Sequence, residues 1–178
     1  MDNHVFLTYK RTYRLLEKQL TDISEYVAIS GRNFDTFSDR FVIFFLSVCS
    51  EVDSIADELC KKLGVIDPKE RYGINNKVGI ILKTYKDARN WICITKPPFE
   101  TIKLVPFANF NDNGAADWWK DYNSVKHNRT EKNESGMYNY QLAHLKNVLY
   151  AMSAFYLILS RMSEDGYVES EIFEIERK

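Results

Sequence analysis

The twelve residues Trp118-Trp119-Lys120-Asp121-Tyr122-Asn123-Ser124-Val125-Lys126-His127-Asn128-Arg129 gather the groups best suited to chemistry in this chain. An imidazole titrates near neutral pH and can take or give a proton there. Ammonium and guanidinium groups can stabilise charge that develops on a phosphorane or another oxyanion. On a helix, Asn123 and Lys126 are three apart and Asn123 and His127 four apart, so all three share a face, and Lys120 extends it by one turn. Trp118, Tyr122, Val125 and Arg129 then fall on an adjacent face that packs into the core, with Trp118 and Trp119 shaping a pocket wall. A plainer reading stands beside this one. Lys126-His127-Asn128-Arg129 also suits a solvated helix end whose cations complement the negative end of the macrodipole, and paired tryptophans are common core residues.

Other candidates carry less. His144, between Leu142 and Leu145, reads as a histidine at the core edge of the last helix, and His4 lies near the start of the chain. Arg89-Asn90-Trp91 closes a helix and adds to the same pocket, while Glu131 lies one turn beyond His127 and either orients its ring or pairs with a lysine. No second histidine or paired carboxylate accompanies His127 on its helix, so no metal is expected there, and no cofactor is expected anywhere. The sequence holds no Walker A loop, no GxGxxG and no GxSxG.

The elements that must position these groups are helical. Tyr9, Tyr13, Leu16, Leu20, Ile23 and Val27 form one buried stripe, which predicts a helix over Asn3 to Ser30 stopped at Gly31. Thr36 or Ser38 caps a second helix running to Leu63, with Gly64 beyond it, and Phe41, Phe45, Val48, Val52, Ile55, Leu59 and Leu63 as its stripe. Its first half is apolar on nearly every face and belongs in the middle of a bundle. A turn is expected at Asp67-Pro68 and a third helix over Ile74 to Asn90. Between Trp91 and Phe110 two β-branched runs flank Lys96-Pro97-Pro98-Phe99-Glu100, which predicts a small β-hairpin or extended lid. A loop at Asn111 to Gly114 precedes a shorter helix over Ala115 to Thr130. The last helix is expected over Tyr138 to Met162, on Leu142, Leu145, Leu149, Met152, Tyr156 and Leu159, with Gly166 ending it. The tail from Tyr167 alternates, and either pairs as a strand or stays loose. The expected fold class is all-α: a single domain over residues 1–178, four or five helices around one core, with a small insertion around 91–110.

Composition bounds the partners. A net charge of −1, from 24 basic and 25 acidic residues, gives no global field toward nucleic acid or an anionic membrane, so phosphate binding must come from a local cluster. With 11 Phe, 11 Tyr and 3 Trp, the core should be built of bulky rings. Cys49, Cys60 and Cys93 lack CxxC spacing and are odd in number, which argues against a disulfide framework or zinc site. Met1 to Arg11 lacks the apolar stretch of a signal peptide, and Phe41 to Cys49 is about half a membrane span. A cytoplasmic protein without a membrane partner is expected.

The run Trp-Trp-x-x-Tyr-Asn-x-x-Lys-His-x-Arg, preceded by Pro106-Phe107 and followed by a long helix, resembles the HEPN-like superfamily. The resemblance implies a small all-α domain, often dimeric, of the kind found in toxin–antitoxin, phage-defence and RNA-processing systems. Catalytic members look like metal-independent ribonucleases, with an arginine and a histidine separated by four to six intervening residues. The resemblance makes His127 the histidine that moves a proton around a ribose 2′-hydroxyl. Lys120 stands seven positions upstream, where that arginine would fall; it keeps the charge but lacks the bidentate fork, and Arg129 supplies the nearest guanidinium. Lys120, Lys126 and Arg129 are then the charge stabilisers, Asn123 an orienting amide, and Trp118, Trp119 and Tyr122 binding residues. RNA and a second copy of the chain are the implied partners. The alternative is a non-catalytic module, in which the same helix offers aromatic anchors to a protein or holds another ligand. Exposed tryptophans would favour that module, buried tryptophans beside an open basic pocket the enzyme, and a packed, hydrogen-bonded His127 a purely structural bundle.

Overall fold

The computed structural model describes residues 3–66, 70, 72–110 and 114–176. The turn expected at Asp67-Pro68, and all but Gly114 of the loop expected at 111–114, lie outside the described residues. The chain is mostly helical: α1 (Asn3–Ser24), α2 (Asp39–Lys62), α3 (Ile74–Thr84), α4 (Asp117–His127) and α5 (Leu145–Met162), with a small antiparallel sheet of β1 (Cys93–Thr95), β2 (Lys103–Leu104) and β3 (Phe173–Ile175). No described helix is long and apolar enough to cross a membrane.

The centre is α2 against α5, the most extensive helix pair. Fifteen of the eighteen residues of α5 are buried, all except Lys146, Tyr150 and Arg161, as expected of a helix that is apolar all round. Helix α2 buries Phe41, Phe44, Phe45, Val48, Cys49 and Val52. Ser38 caps it by accepting from the Phe41 N–H at 3.1 Å, and Gly64, at φ 69°, turns the chain out of its far end. Helices α1 and α4 pack on both members of the central pair, and α3 packs on α2. Buried Lys77 ties α3 to α2 through Asp53 Oδ1, 3.0 Å from its Nζ.

Several helix ends fall short of the stripes that predict them. Helix α1 stops at Ser24 rather than Ser30, and the Ser24 hydroxyl donates to the Thr21 carbonyl at 2.6 Å, competing with the helical ladder. Gly31 opens a 3-10 turn instead of closing the helix. Helix α3 ends at Thr84, and a separate 3-10 turn covers Ala88–Asn90. The largest difference is at α5, which starts at Leu145, not Tyr138. Asn139–Leu142 form a 3-10 turn closed by the Tyr138 N–H on Gln141 Oε1. His144 is extended and bridges Phe37, while the Leu145 and Lys146 N–H groups donate to the Thr36 and Phe34 carbonyls at 2.9 and 3.1 Å. The segment before α2 therefore satisfies the N-terminus of α5.

The expected hairpin is present as β1 and β2, paired Cys93 to Leu104 and Ile94 to Lys103. The tail supplies a third strand on the other edge of β1, giving the order β2-β1-β3 with Thr95 opposite Phe173. Buried Glu17 of α1 fastens this tail: it accepts from Tyr13 Oη at 2.9 Å, from the Ile172 N–H at 3.2 Å and from the Ser170 hydroxyl. One hydrophobic cluster draws residues from all five helices and the sheet. Its cysteines are free and buried, and burial pushes the Cys49 and Cys93 thiols well up, so they act as small hydrophobes.

Candidate functional site

Helix α4 has two faces with opposite characters. Its inner face carries Trp118, Trp119, Tyr122 and Val125, all buried. The rings continue a run of contacts that starts at Trp91 and passes through Phe107 and Phe110. Trp118 meets Phe110 with centroids 6.0 Å apart, Trp119 meets Tyr122 at 4.8 Å, and Tyr122 meets Phe45 of α2 at 6.1 Å. The Trp118 indole N–H donates to the Pro106 carbonyl at 2.9 Å, so this large side chain is both packed and polar-satisfied. Edge-to-face contacts and that hydrogen bond lock the rotation of α4 about its axis.

The outer face follows from that lock. Lys120, Asn123, Lys126 and His127 are all exposed, as their spacing predicts for one solvent-facing strip. Lys120 pairs with Asp117 of its own helix at 3.1 Å, an exposed contact that holds it weakly. Lys126 Nζ lies 5.4 Å from the Tyr122 ring centroid. Among the described residues no side-chain hydrogen bond or ion pair engages Asn123 or His127, so His127 is not the packed imidazole of a purely structural bundle. Arg129 departs from expectation. The helix ends at His127 with Asn128 as its cap, so Arg129 is off the helical lattice and exposed instead of packing beside Trp118 and Tyr122. Its carbonyl accepts from the Tyr140 N–H at 3.1 Å, which lays the following segment against the end of α4.

The cavity beside Trp118 is a small one, about 190 Å³, between the N-terminal halves of α4 and α5. Its charge is the reverse of the basic pocket that the sequence suggests. Asp35, Asp117 and Asp121 line it, against Lys146 and His144. Burial pushes the Asp121 carboxyl up, opposed by a hydrogen bond from Asn147 Nδ2 at 2.7 Å. Burial pushes His144 down, opposed by the nearby Asp121 and Asp35 carboxylates. His144 Nδ1 also accepts from the Asn147 N–H at 3.4 Å, so it caps α5 and does not sit within it. The charged form of each group is therefore disfavoured. A phosphate would meet carboxylates here.

Arg89-Asn90-Trp91 does not join this cavity: Arg89 donates to the Phe110 carbonyl, and Trp91 stacks under Arg161 with 4.4 Å between the guanidinium carbon and the ring. Asp121 lies inside the twelve-residue run and is half-buried, although Asp117 one turn before it is exposed. Its partner Asn147 belongs to another helix, and no spacing announces that meeting. Among the described residues no group of three His, Cys, Asp or Glu side chains is placed to hold a metal ion. Comparison with family models, with curated proteins and with solved structures finds no match to this chain.

Proposed function

We propose that the chain is a cytoplasmic HEPN-like domain that handles RNA on the outer face of α4, and that His127 is the acid–base group of a metal-independent transesterification at a ribose phosphate. The observation that carries this reading is the exposed, unengaged His127 on the same face as Lys120, Asn123 and Lys126, with the opposite face of α4 locked by rings. Proton transfer needs a group of suitable pKa within reach of the substrate, and oxyanion stabilisation needs cations already in place. The carboxylates of the Trp118 cavity direct a polyanion away from it and toward this strip.

In the proposed step the His127 imidazole removes the 2′-hydroxyl proton, the 2′-oxygen bonds to the neighbouring phosphorus, and the bond from phosphorus to the 5′-oxygen breaks. The 5′-oxygen leaves with a proton supplied by the equivalent residue of a second copy in its protonated, imidazolium form, which ends the step neutral. Lys120, Lys126 and Arg129 stabilise the phosphorane charge, and Asn123 orients the ribose. A strip this open needs a cover to exclude water, and a homodimer with α4 facing α4 would provide it.

The test is cleavage of labelled structured and single-stranded RNA in EDTA by the wild type and by His127→Ala, with sedimentation to establish the oligomeric state. Cutting that persists in EDTA and disappears in the variant is expected, from a dimer. No cutting by concentrated wild-type protein on any of the RNAs would sink the nuclease reading. A second reading has one observation in its favour, the Asp121/His144 cavity: a non-catalytic module holding a small polar ligand. It requires a rise in Tm with a panel of small amines and the loss of that rise in Asp121→Asn.

A further inference from the structure

Beyond the end of α4 the chain presents a short row of rings. Tyr138 and Tyr140 are stacked, with centroids 5.9 Å apart and planes 16° from parallel, and Phe37 meets Tyr140 edge-on at 6.0 Å. Phe37 and Tyr138 are each 42% exposed, and Met137 beside them is 46% exposed. Lys132 Nζ lies 5.2 Å from the Tyr138 ring centroid. The backbone beneath is well tied. Lys132 and Tyr138 form a β-bridge, Asn133 Oδ1 accepts from the Ser135 and Met137 N–H groups at 3.0 Å each, and Asn139 Nδ2 donates to the Asn128 carbonyl at 2.9 Å. The segment carrying Tyr138 and Tyr140 is thus tied to the Asn128 and Arg129 backbone at the end of α4 before any ligand arrives, and a preformed platform loses little entropy on binding.

From Lys126 to Tyr138 the cations are Lys126, Arg129 and Lys132, against Glu131 and Glu134. Three positive groups suit a phosphate backbone, but so small an excess makes a weak clamp on its own. The rings offer the other half of nucleotide recognition, since every unpaired base has a face that can stack on an aromatic side chain. Bases inside a duplex are not available for this.

We infer that Phe37, Tyr138 and Tyr140 form a stacking platform for unpaired bases, which makes the substrate single-stranded RNA; this rests on the RNA reading of α4 above. Lys132 and Arg129 contact the flanking phosphates, and the strand passes from the rings to His127.

The test uses fluorescence anisotropy with a short 2′-O-methyl oligouridylate, which cannot undergo the transesterification, its abasic phosphodiester counterpart and a blunt duplex. The wild type should bind the oligouridylate more tightly than the other two. Tyr138→Ala and Phe37→Ala should each weaken that binding at least about fivefold and leave the abasic strand unchanged, while Tyr138→Trp retains it. Both positions are exposed, and circular dichroism verifies that the variants fold. Equal affinity for the abasic strand, or wild-type affinity in both alanine variants, overturns the platform and leaves the cationic strip of α4 intact as the RNA site. Binding to none of the three overturns both readings and leaves the rings as a protein contact.

Discussion

Asp121 of α4 and His144, the residue that caps α5, line one cavity, and each is held away from its charged form by burial. The consequences for stability have opposite signs. His144 lies below its ordinary value of 6.5, so between 6.5 and the lowered value the unfolded chain binds more protons than the folded one, and stability falls as pH falls through that window. Asp121 lies above 3.8, so between 3.8 and the raised value the folded chain binds more protons, and stability falls as pH rises through it. Acidification from neutrality meets the histidine first. His144→Asn keeps a good cap and removes the imidazole, so its Tm should fall less than that of the wild type between about pH 7 and about pH 5. Equal slopes by calorimetry would mean that His144 does not control this response. Glu17 makes a second residue-level case. Glu17→Ala leaves the Ser170 O–H and the Ile172 N–H without an acceptor in the interior, while Tyr13 Oη keeps Ser170 Oγ at 3.0 Å, and should cost about 2 kcal/mol or more, with Glu17→Gln costing less; urea unfolding measures both. The twelve-residue run and the exposure of Lys120, Asn123, Lys126 and His127 are legible as spacing. Asp121, His144 and Glu17 act through partners far away in sequence, and spacing does not reveal such partners.

The five helices are readable because each carries a buried stripe that repeats every three or four residues. Ends are set by something else. Ser38 begins α2 as its residue type suggests, and Ser38→Ala should lower stability by about 1 kcal/mol, seen as a lower urea midpoint without a change in slope. The start of α5 has no such local signal. The apolar pattern runs on through Leu142, yet the first N–H groups of the helix are satisfied by the carbonyls of Phe34 and Thr36, and the chain from Tyr138 to His144 is drawn into another path. Arg129 leaves the face of Trp118 and Tyr122 for a similar reason, since α4 ends two residues before it. The third strand is legible only as alternation in the tail, because its partner is β1 and β1 is three residues long.

Across the whole molecule, a net charge of −1 limits how the proposed RNA could be held. At most four cations, Lys120, Lys126, Arg129 and Lys132, reach a strand lying along α4 and the rings. For single strands each neutralised phosphate contributes about −0.7 to the slope of log K against log salt, so a slope no steeper than about −3 is expected. Anisotropy titrations at several salt concentrations measure it, and a much steeper slope would place RNA on a different surface. The join between α1 and the tail carries a consequence for the order in which the protein can be made. Tyr13 and Ser170 are 157 positions apart, and β3 is synthesised after all five helices. Until residues 170–175 leave the ribosome, Glu17 lacks two of its donors and β1 offers an open edge to any neighbouring chain. A nascent chain halted before Ser170 would therefore differ from the finished one in two ways that a chaperone or protease can sense, an unpaired strand and a buried carboxylate short of hydrogen bonds.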